Sequence, residues 1–127
     1  MTSLQRILHV DDEPDIREVA KLTLEAIGGF TVETCSSGRQ AIDRAPHFAP
    51  DLILLDIMMP GMDGPATYQE LQKLPATANI PIIFMTAKAQ AHEIDQYLGL
   101  GAAGVIIKPF DPAELSEQVT DIWGKCR

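Results

Sequence analysis

The sequence predicts an α/β sandwich built on a parallel sheet. Three observations carry that reading. Short apolar stretches alternate strictly with amphipathic ones, five of each, and the loops between them are short. The third apolar stretch is apolar on both faces, as in a sheet covered by helices on both sides. No repeat, low-complexity segment or linker interrupts the 127 residues, a length that suits one domain with a real core. Strict β-α alternation also implies right-handed crossovers.

The elements follow in order. "RILHV" (Arg6 to Val10) is a short apolar strand that runs into the acidic "DDEPD". Pro14 suits a first helical turn, and the acids around it suit the positive end of the helix dipole. Ile16, Val19, Ala20, Thr23, Leu24 and Ile27 then mark one helical face, and Gly28 and Gly29 stop the helix. "FTVETC" (Phe30 to Cys35) alternates as a strand, and Ser36, Ser37 and Gly38 cap a short helix from about Arg39 to Ala45. "DLILLD" (Asp51 to Asp56) is the third strand. Pro65 to Leu74 is a helix, ended by Pro75. "IPIIFMT" (Ile80 to Thr86) is the fourth strand and His92 to Leu100 the fourth helix. "GVIIK" (Gly104 to Lys108) is the fifth strand. Pro112 to Gly124 is the last helix, with Leu115, Val119, Ile122 and Trp123 on one face.

Composition narrows the function. Ten Lys plus Arg against eighteen Asp plus Glu leave a net charge of −8, which argues against nucleic acid or an anionic membrane as main partner. No apolar run approaches the roughly 20 residues that span a bilayer, and "MTSLQRILHV" lacks a secretory signal pattern. Cys35 and Cys126 belong to no CxxC or Cys/His cluster and read as free thiols of a cytosolic protein.

In open parallel sheets, ligands bind at the carboxyl ends of the strands. Strand one ends at Asp11 and Asp12, strand three at Asp56, strand four at Thr86 and strand five at Lys108. Three carboxylates on one edge repel each other unless a cation sits among them. An all-oxygen site of few ligands suits Mg²⁺, which keeps several waters and also binds phosphate. Thr86 can donate to a phosphoryl oxygen, and Lys108 can act there as a point charge. Singly, these residues have ordinary explanations: helix caps, a turn residue, a solvated amine. Together those explanations do not account for a reactive polar group at the same end of every central strand.

"ILHVDDEPDIRE", "DLILLDIMMPGMDG", "PIIFMTA" and "GAAGVIIKPFDPAEL" resemble the receiver domain of two-component response regulators, in the right order and spacing. The resemblance implies a single receiver domain over 1–127. Its fold would be the (βα)5 flavodoxin-like three-layer sandwich, with strand order 2-1-3-4-5. Asp56 resembles the phosphoacceptor, and Asp11 and Asp12 the acidic pair that holds Mg²⁺, Asp12 the more direct ligand. The backbone carbonyl of Met58 would complete the protein's share of the coordination. Thr86 resembles the hydroxyl residue that swings onto the phosphoryl group, and Lys108 the amine that contacts it, with a cis Lys108–Pro109 bond. The phosphoryl donor would be a phosphohistidine on a sensor histidine kinase or phosphotransfer domain. The product is a signalling switch that alters its protein-binding surface toward a downstream effector and turns over no external substrate. Met59 and Met62 read as gap-fillers.

Two other functions compete. An aspartate-nucleophile phosphatase resembling the haloacid dehalogenase superfamily would want DxD closing strand one; here Ile57 and Met58 follow the candidate nucleophile, and no cap domain is present. A flavodoxin-like electron carrier needs a Ser/Thr/Gly phosphate loop after strand one, where this chain has acids. "GLGAAG" (Gly99 to Gly104) matches GxGxxG, but it follows a helix and precedes a strand, the reverse of a dinucleotide fingerprint. His9, His47 and His92 show no metal spacing, and His9 reads as packed within strand one. Where many receivers carry Tyr or Phe, this chain has Val105, which has no large inward and outward positions to exchange. The last helix carries Glu114, Glu117 and Asp121 and no basic residue before Lys125, so a monomer acting by protein contact is expected. Met58 and Lys88 would flank the approach of water to a phosphoryl group and slow its loss.

Overall fold

The computed structural model describes residues 3–87 and 90–126. Five strands and five helices alternate among them: β1 (Arg6–Val10), α1 (Pro14–Ala26), β2 (Thr31–Cys35), α2 (Gly38–Phe48), β3 (Leu52–Asp56), α3 (Gly64–Gln72), β4 (Ile82–Thr86), α4 (Ala91–Gly99), β5 (Gly104–Ile107) and α5 (Leu115–Lys125). The strands form one parallel sheet in the order β2-β1-β3-β4-β5. This is the order the resemblance implies.

Alternation along each strand makes the three layers. Leu8, Val10, Ile53, Leu55 and Phe84 face one side and pack on Ala41, Ala45 and Phe48 of α2 and Leu71 of α3. Ile7, Leu52, Leu54, Ile83 and Met85 face the other and pack on Ala20 and Leu24 of α1 and Leu115 and Val119 of α5. β3 and β4 are buried at every position. Each fully buried Leu or Ile contributes about 1.5–3 kcal/mol, so the central strands are the rigid base on which the sheet's carboxyl edge stands.

The structure departs from the sequence reading at three helices. α2 runs one turn past Ala45, through Pro46 to Phe48. A proline interior to a helix loses one hydrogen bond. Here the extension buries Phe48, whose carbonyl accepts from Arg6 Nε and Nη2 at 2.9 and 2.6 Å, and Ala49 ends the helix in the left-handed region at φ 54°. α5 begins at Leu115 rather than Pro112, because Asp111 first makes a turn: its carboxylate accepts from Ala113 N–H, and its carbonyl from Glu114 and Leu115. The buried face of α1 is narrower than its periodicity, with Val19 at 40% and Ile27 at 61% exposure. As expected, Pro14 opens α1, and Gly29 follows it at φ 72°. No helix among the described residues is long and apolar enough to cross a membrane. Both cysteines are unpaired.

Candidate functional site

The parallel register brings the strand ends together. β1 and β3 are neighbours, as are β3 and β4, and β4 and β5, so Asp11, Asp56, Thr86 and Lys108 end adjacent strands on one edge. One carboxylate oxygen from each of Asp11, Asp12 and Asp56 lies within 4.8 Å of the other two. Asp11 and Asp56 are buried, and Asp12 is half-buried at the rim.

Lys108 ties the acids together. Its Nζ donates to Asp11 Oδ2 at 3.0 Å and lies 3.4 Å from Asp56 Oδ1 and 3.5 Å from Glu13 Oε1. Its backbone N–H donates to the Thr86 carbonyl at 2.8 Å, which fixes the loop that carries it, and the Lys108–Pro109 bond is cis. Burial pulls the Lys108 pKa down, but the hydrogen bond to Asp11 and the charges of Asp11, Asp56 and Glu13 win and hold it above its ordinary value. Asp56 goes the other way. Burial and the charge of Asp11 push its pKa from 3.8 to about 6, against the opposing pull of Lys108 and with a further push from Asp12. Burial and the neighbouring acids thus both work against a charged Asp56, and Lys108 only partly offsets them.

That donor set fits a hard divalent cation. All the side-chain ligands are oxygens, they converge, and two of the three are shielded from water. The Asp11 and Asp12 charges, which add to burial in raising the Asp56 pKa, are what a cation among the three would offset.

The loop after β3 is shaped for this edge. Asp63 caps α3 by accepting from Ala66 N–H at 2.9 Å. Gly64 N–H donates to the Ile57 carbonyl at 2.9 Å, and a Cβ at Gly64 would sit 2.6 Å from the Asp56 carbonyl oxygen. Only glycine allows that approach. Met59 is buried in the core, as expected of a gap-filler, whereas Met58 is 62% exposed. Lys88, expected to flank the same approach, lies outside the described residues. Val105 pairs with Phe84, whose ring meets Tyr68 and Tyr97 edge-on at 5.8 and 5.7 Å. A groove of about 540 Å³ lies nearby, lined by Ser37, Gly38, Arg39, Pro60, Gly61, Met62 and Ala66; it contains none of the strand-end residues.

Three contributors escape the sequence reading. Arg17 Nη1 donates to the Asp11 carbonyl at 2.7 Å, and Glu13 reaches Lys108. Glu13, next to "DD", read as an acid suiting the start of the helix dipole, and nothing local in the sequence marks Arg17, five residues on, as reaching the Asp11 carbonyl. The third is His9. It is packed, as expected, yet neither ring nitrogen has a hydrogen-bond partner among the described residues, and Nε2 lies 4.0 Å from Asp11 Oδ2. Burial pushes its pKa from 6.5 to about 4, with the Asp11 charge pulling up and Lys108 and Arg17 pushing further down.

Comparison with known proteins decides the family. The model of the response regulator receiver domain matches residues 7–120. The chain belongs to the response regulator receiver family. It is 39% identical over 122 residues to response regulator Rre1 of Synechocystis, covering 94% of this chain and 52% of that protein. It is also 39% identical over 120 residues to the DNA-binding response regulator MtrA of Mycolicibacterium smegmatis, covering 93% and 50%. The receiver spans about half the length of these curated relatives. Among solved structures, chemotaxis response regulator CheY4 of Vibrio cholerae superposes with a TM-score of 0.86 at 28% identity, covering 94% of this chain and 99% of that one. A response regulator from Desulfuromonas acetoxidans gives 0.85 at 29%, covering 97% and 99%. The protein is therefore a receiver domain of two-component signalling.

Proposed function

We propose that the receiver is a phosphorylation switch, with Asp56 as phosphoacceptor. The observation that carries the reading is the convergence of Asp11, Asp12 and Asp56 within 4.8 Å, with Lys108 Nζ beside Asp11 and Asp56. A carboxylate oxygen of Asp56 attacks the phosphorus of a phosphohistidine. The P–N bond breaks, its electron pair returns to the donor imidazole, and an acyl phosphate forms on Asp56. Asp11, Asp12, Asp56 and the Met58 carbonyl would hold Mg²⁺, whose charge offsets the repulsion between the phosphoryl group and the three acids. Lys108 then contacts a phosphoryl oxygen as a point charge, and the Thr86 hydroxyl donates to another. Asp56, with its pKa at about 6, is mostly ionised at neutral pH and so is available as a nucleophile.

The strand-end acids stand on the sheet's carboxyl edge, where a protein donor can present its phosphohistidine. A sensor histidine kinase or a histidine phosphotransfer domain fills that role. The partner on the output side is a protein effector, since the domain's −8 charge disfavours direct contact with nucleic acid. The acidic α5 favours a monomer, and the unpaired thiols favour the cytoplasm. A receiver domain spanning 1–127 is the unit we assign this role. Intact mass after acetyl phosphate treatment should rise by one phosphoryl group, and the rise should vanish in Asp56→Asn and in EDTA. Equal labelling of the variant would overturn the assignment.

A further inference from the structure

β1 sends side chains to one side of the sheet at two-residue steps, and Ile7, His9 and Asp11 follow each other there. Ile7 joins the core beneath α1 and α5. His9 comes next, fully excluded from solvent and with both Nδ1 and Nε2 unpaired among the described residues. Buried polar atoms without partners are few in native proteins, and each one calls for a reason.

Asp11 supplies it. Its Oδ1 accepts from the Glu13 backbone N–H at 2.9 Å, and its Oδ2 from Lys108 Nζ at 3.0 Å. That second bond is the insecure one. Lys108 Nζ is already 3.4 Å from Asp56 Oδ1, so a small rotation of a flexible side chain carries it to whatever Asp56 bears. Asp11 Oδ2 then loses its donor while buried. His9 Nε2 stands 4.0 Å from that same oxygen, about 1 Å beyond hydrogen-bond length.

We propose that His9 is a reserve donor, a positioning residue whose Nε2–H takes over Asp11 Oδ2 when Lys108 turns to a phosphoryl group on Asp56. The proposal rests on the reading of Asp56 as phosphoacceptor. No proton changes hands: the imidazole stays neutral throughout and donates from Nε2. Carboxylates that hold a metal are aimed by such outer hydrogen bonds, so His9 keeps Asp11 directed at the metal position after its resting partner has left.

The test is the ¹⁵N spectrum of the His9 imidazole in the full chain, before and after acetyl phosphate with Mg²⁺, with intact mass followed on the same sample. The proposal expects the Nε2–H tautomer in both states. On phosphorylation, the Nε2 proton should move downfield and exchange more slowly. His9→Leu should bind Mg²⁺ about tenfold more weakly by calorimetry once phosphorylated, and His9→Gln, which keeps a donor, should restore part of that loss. An Nδ1–H tautomer, or an Nε2 signal unchanged in protein whose mass shows the phosphoryl group, overturns the proposal. Equal Mg²⁺ binding by His9→Leu and the parent does so too. A mass that never rises overturns the assignment of Asp56, and this proposal with it.

Discussion

Neutralising Asp56 should stabilise the metal-free receiver, and the gain should depend on pH in a stated direction. Burial and the Asp11 charge raise the Asp56 pKa from 3.8 to about 6. Each pKa unit is about 1.4 kcal/mol, so the ionised carboxylate costs the fold about 3 kcal/mol at pH 7.5. That penalty is fully present above the folded pKa and disappears below the unfolded one. Asp56→Asn keeps the shape and removes the charge. In EDTA at pH 7.5 it should be more stable than the parent by about 2–3 kcal/mol, on the order of 5–10 °C in melting temperature. The advantage should shrink between pH 6 and pH 4 as the parent's carboxylate takes up its proton.

His9 works against Asp56 in the same window. Its pKa is lowered from 6.5 to about 4, so the stability that comes from burying it neutral is present above 6.5 and lost as pH falls toward 4. Asp56 and His9 thus act in opposite directions on acidification, and their combined contribution in that window should be comparatively small. Asp56→Asn retains only the loss and should fall with acid. Urea unfolding of both proteins in EDTA at several pH values between 4.5 and 7.5 measures the difference. A variant no more stable than the parent at pH 7.5, or a gap that does not change with pH, would refute the reasoning.

Asp12→Ala removes a second member of the same repulsion. It should melt higher than the parent in EDTA, by about 1 kcal/mol or less because Asp12 is half-buried, and lose the stabilisation that Mg²⁺ gives the parent; a lower melt in EDTA would show that its place before α1 matters more. Gly64→Ala puts a Cβ 2.6 Å from the Asp56 carbonyl oxygen and should cost about 1–3 kcal/mol by urea unfolding, with Mg²⁺ affinity lowered as well. Met58→Asn replaces an exposed apolar cover with a side chain that can orient water. Loss of the phosphoryl group should quicken by less than about tenfold, since an amide orients water without taking its proton.

The fold is legible in the sequence because each element declares itself by a local rule. "DLILLD" is too short and too apolar for a surface helix, and β3 is indeed buried at all five positions. The parts that are not legible depend on tertiary partners. Nothing within "APHF" reveals that α2 continues through Pro46, because the continuation is held by Arg6 from β1, some forty residues earlier in the chain. α1 shows the opposite error. Its six-residue apolar face overstates burial, since α5 and the sheet cover only Ala20, Thr23 and Leu24 completely enough to bury them. Periodicity reports which face a helix prefers to hide, not how wide its neighbours are.

The strand-end residues are legible for a related reason: parallel alternation alone places Asp11, Asp56, Thr86 and Lys108 on one edge, before any side-chain geometry is known. What the sequence does not show is how the charges are shared. Lys108 is 97 residues from Asp11 along the chain, and no local pattern says that its ammonium sits closer to Asp11 Oδ2 than to Asp56 Oδ1. Yet that choice sets the resting chemistry. Burial and the Asp11 charge raise the Asp56 pKa, and Lys108, 3.4 Å away, opposes that rise without cancelling it. A lysine drawn closer to Asp56 would lower that pKa further and weaken it as a nucleophile. The same placement leaves Asp11 dependent on a side chain that has reason to move, and His9, with an unpaired ring nitrogen 4.0 Å from the oxygen Lys108 holds, is the neighbour this leaves to succeed it.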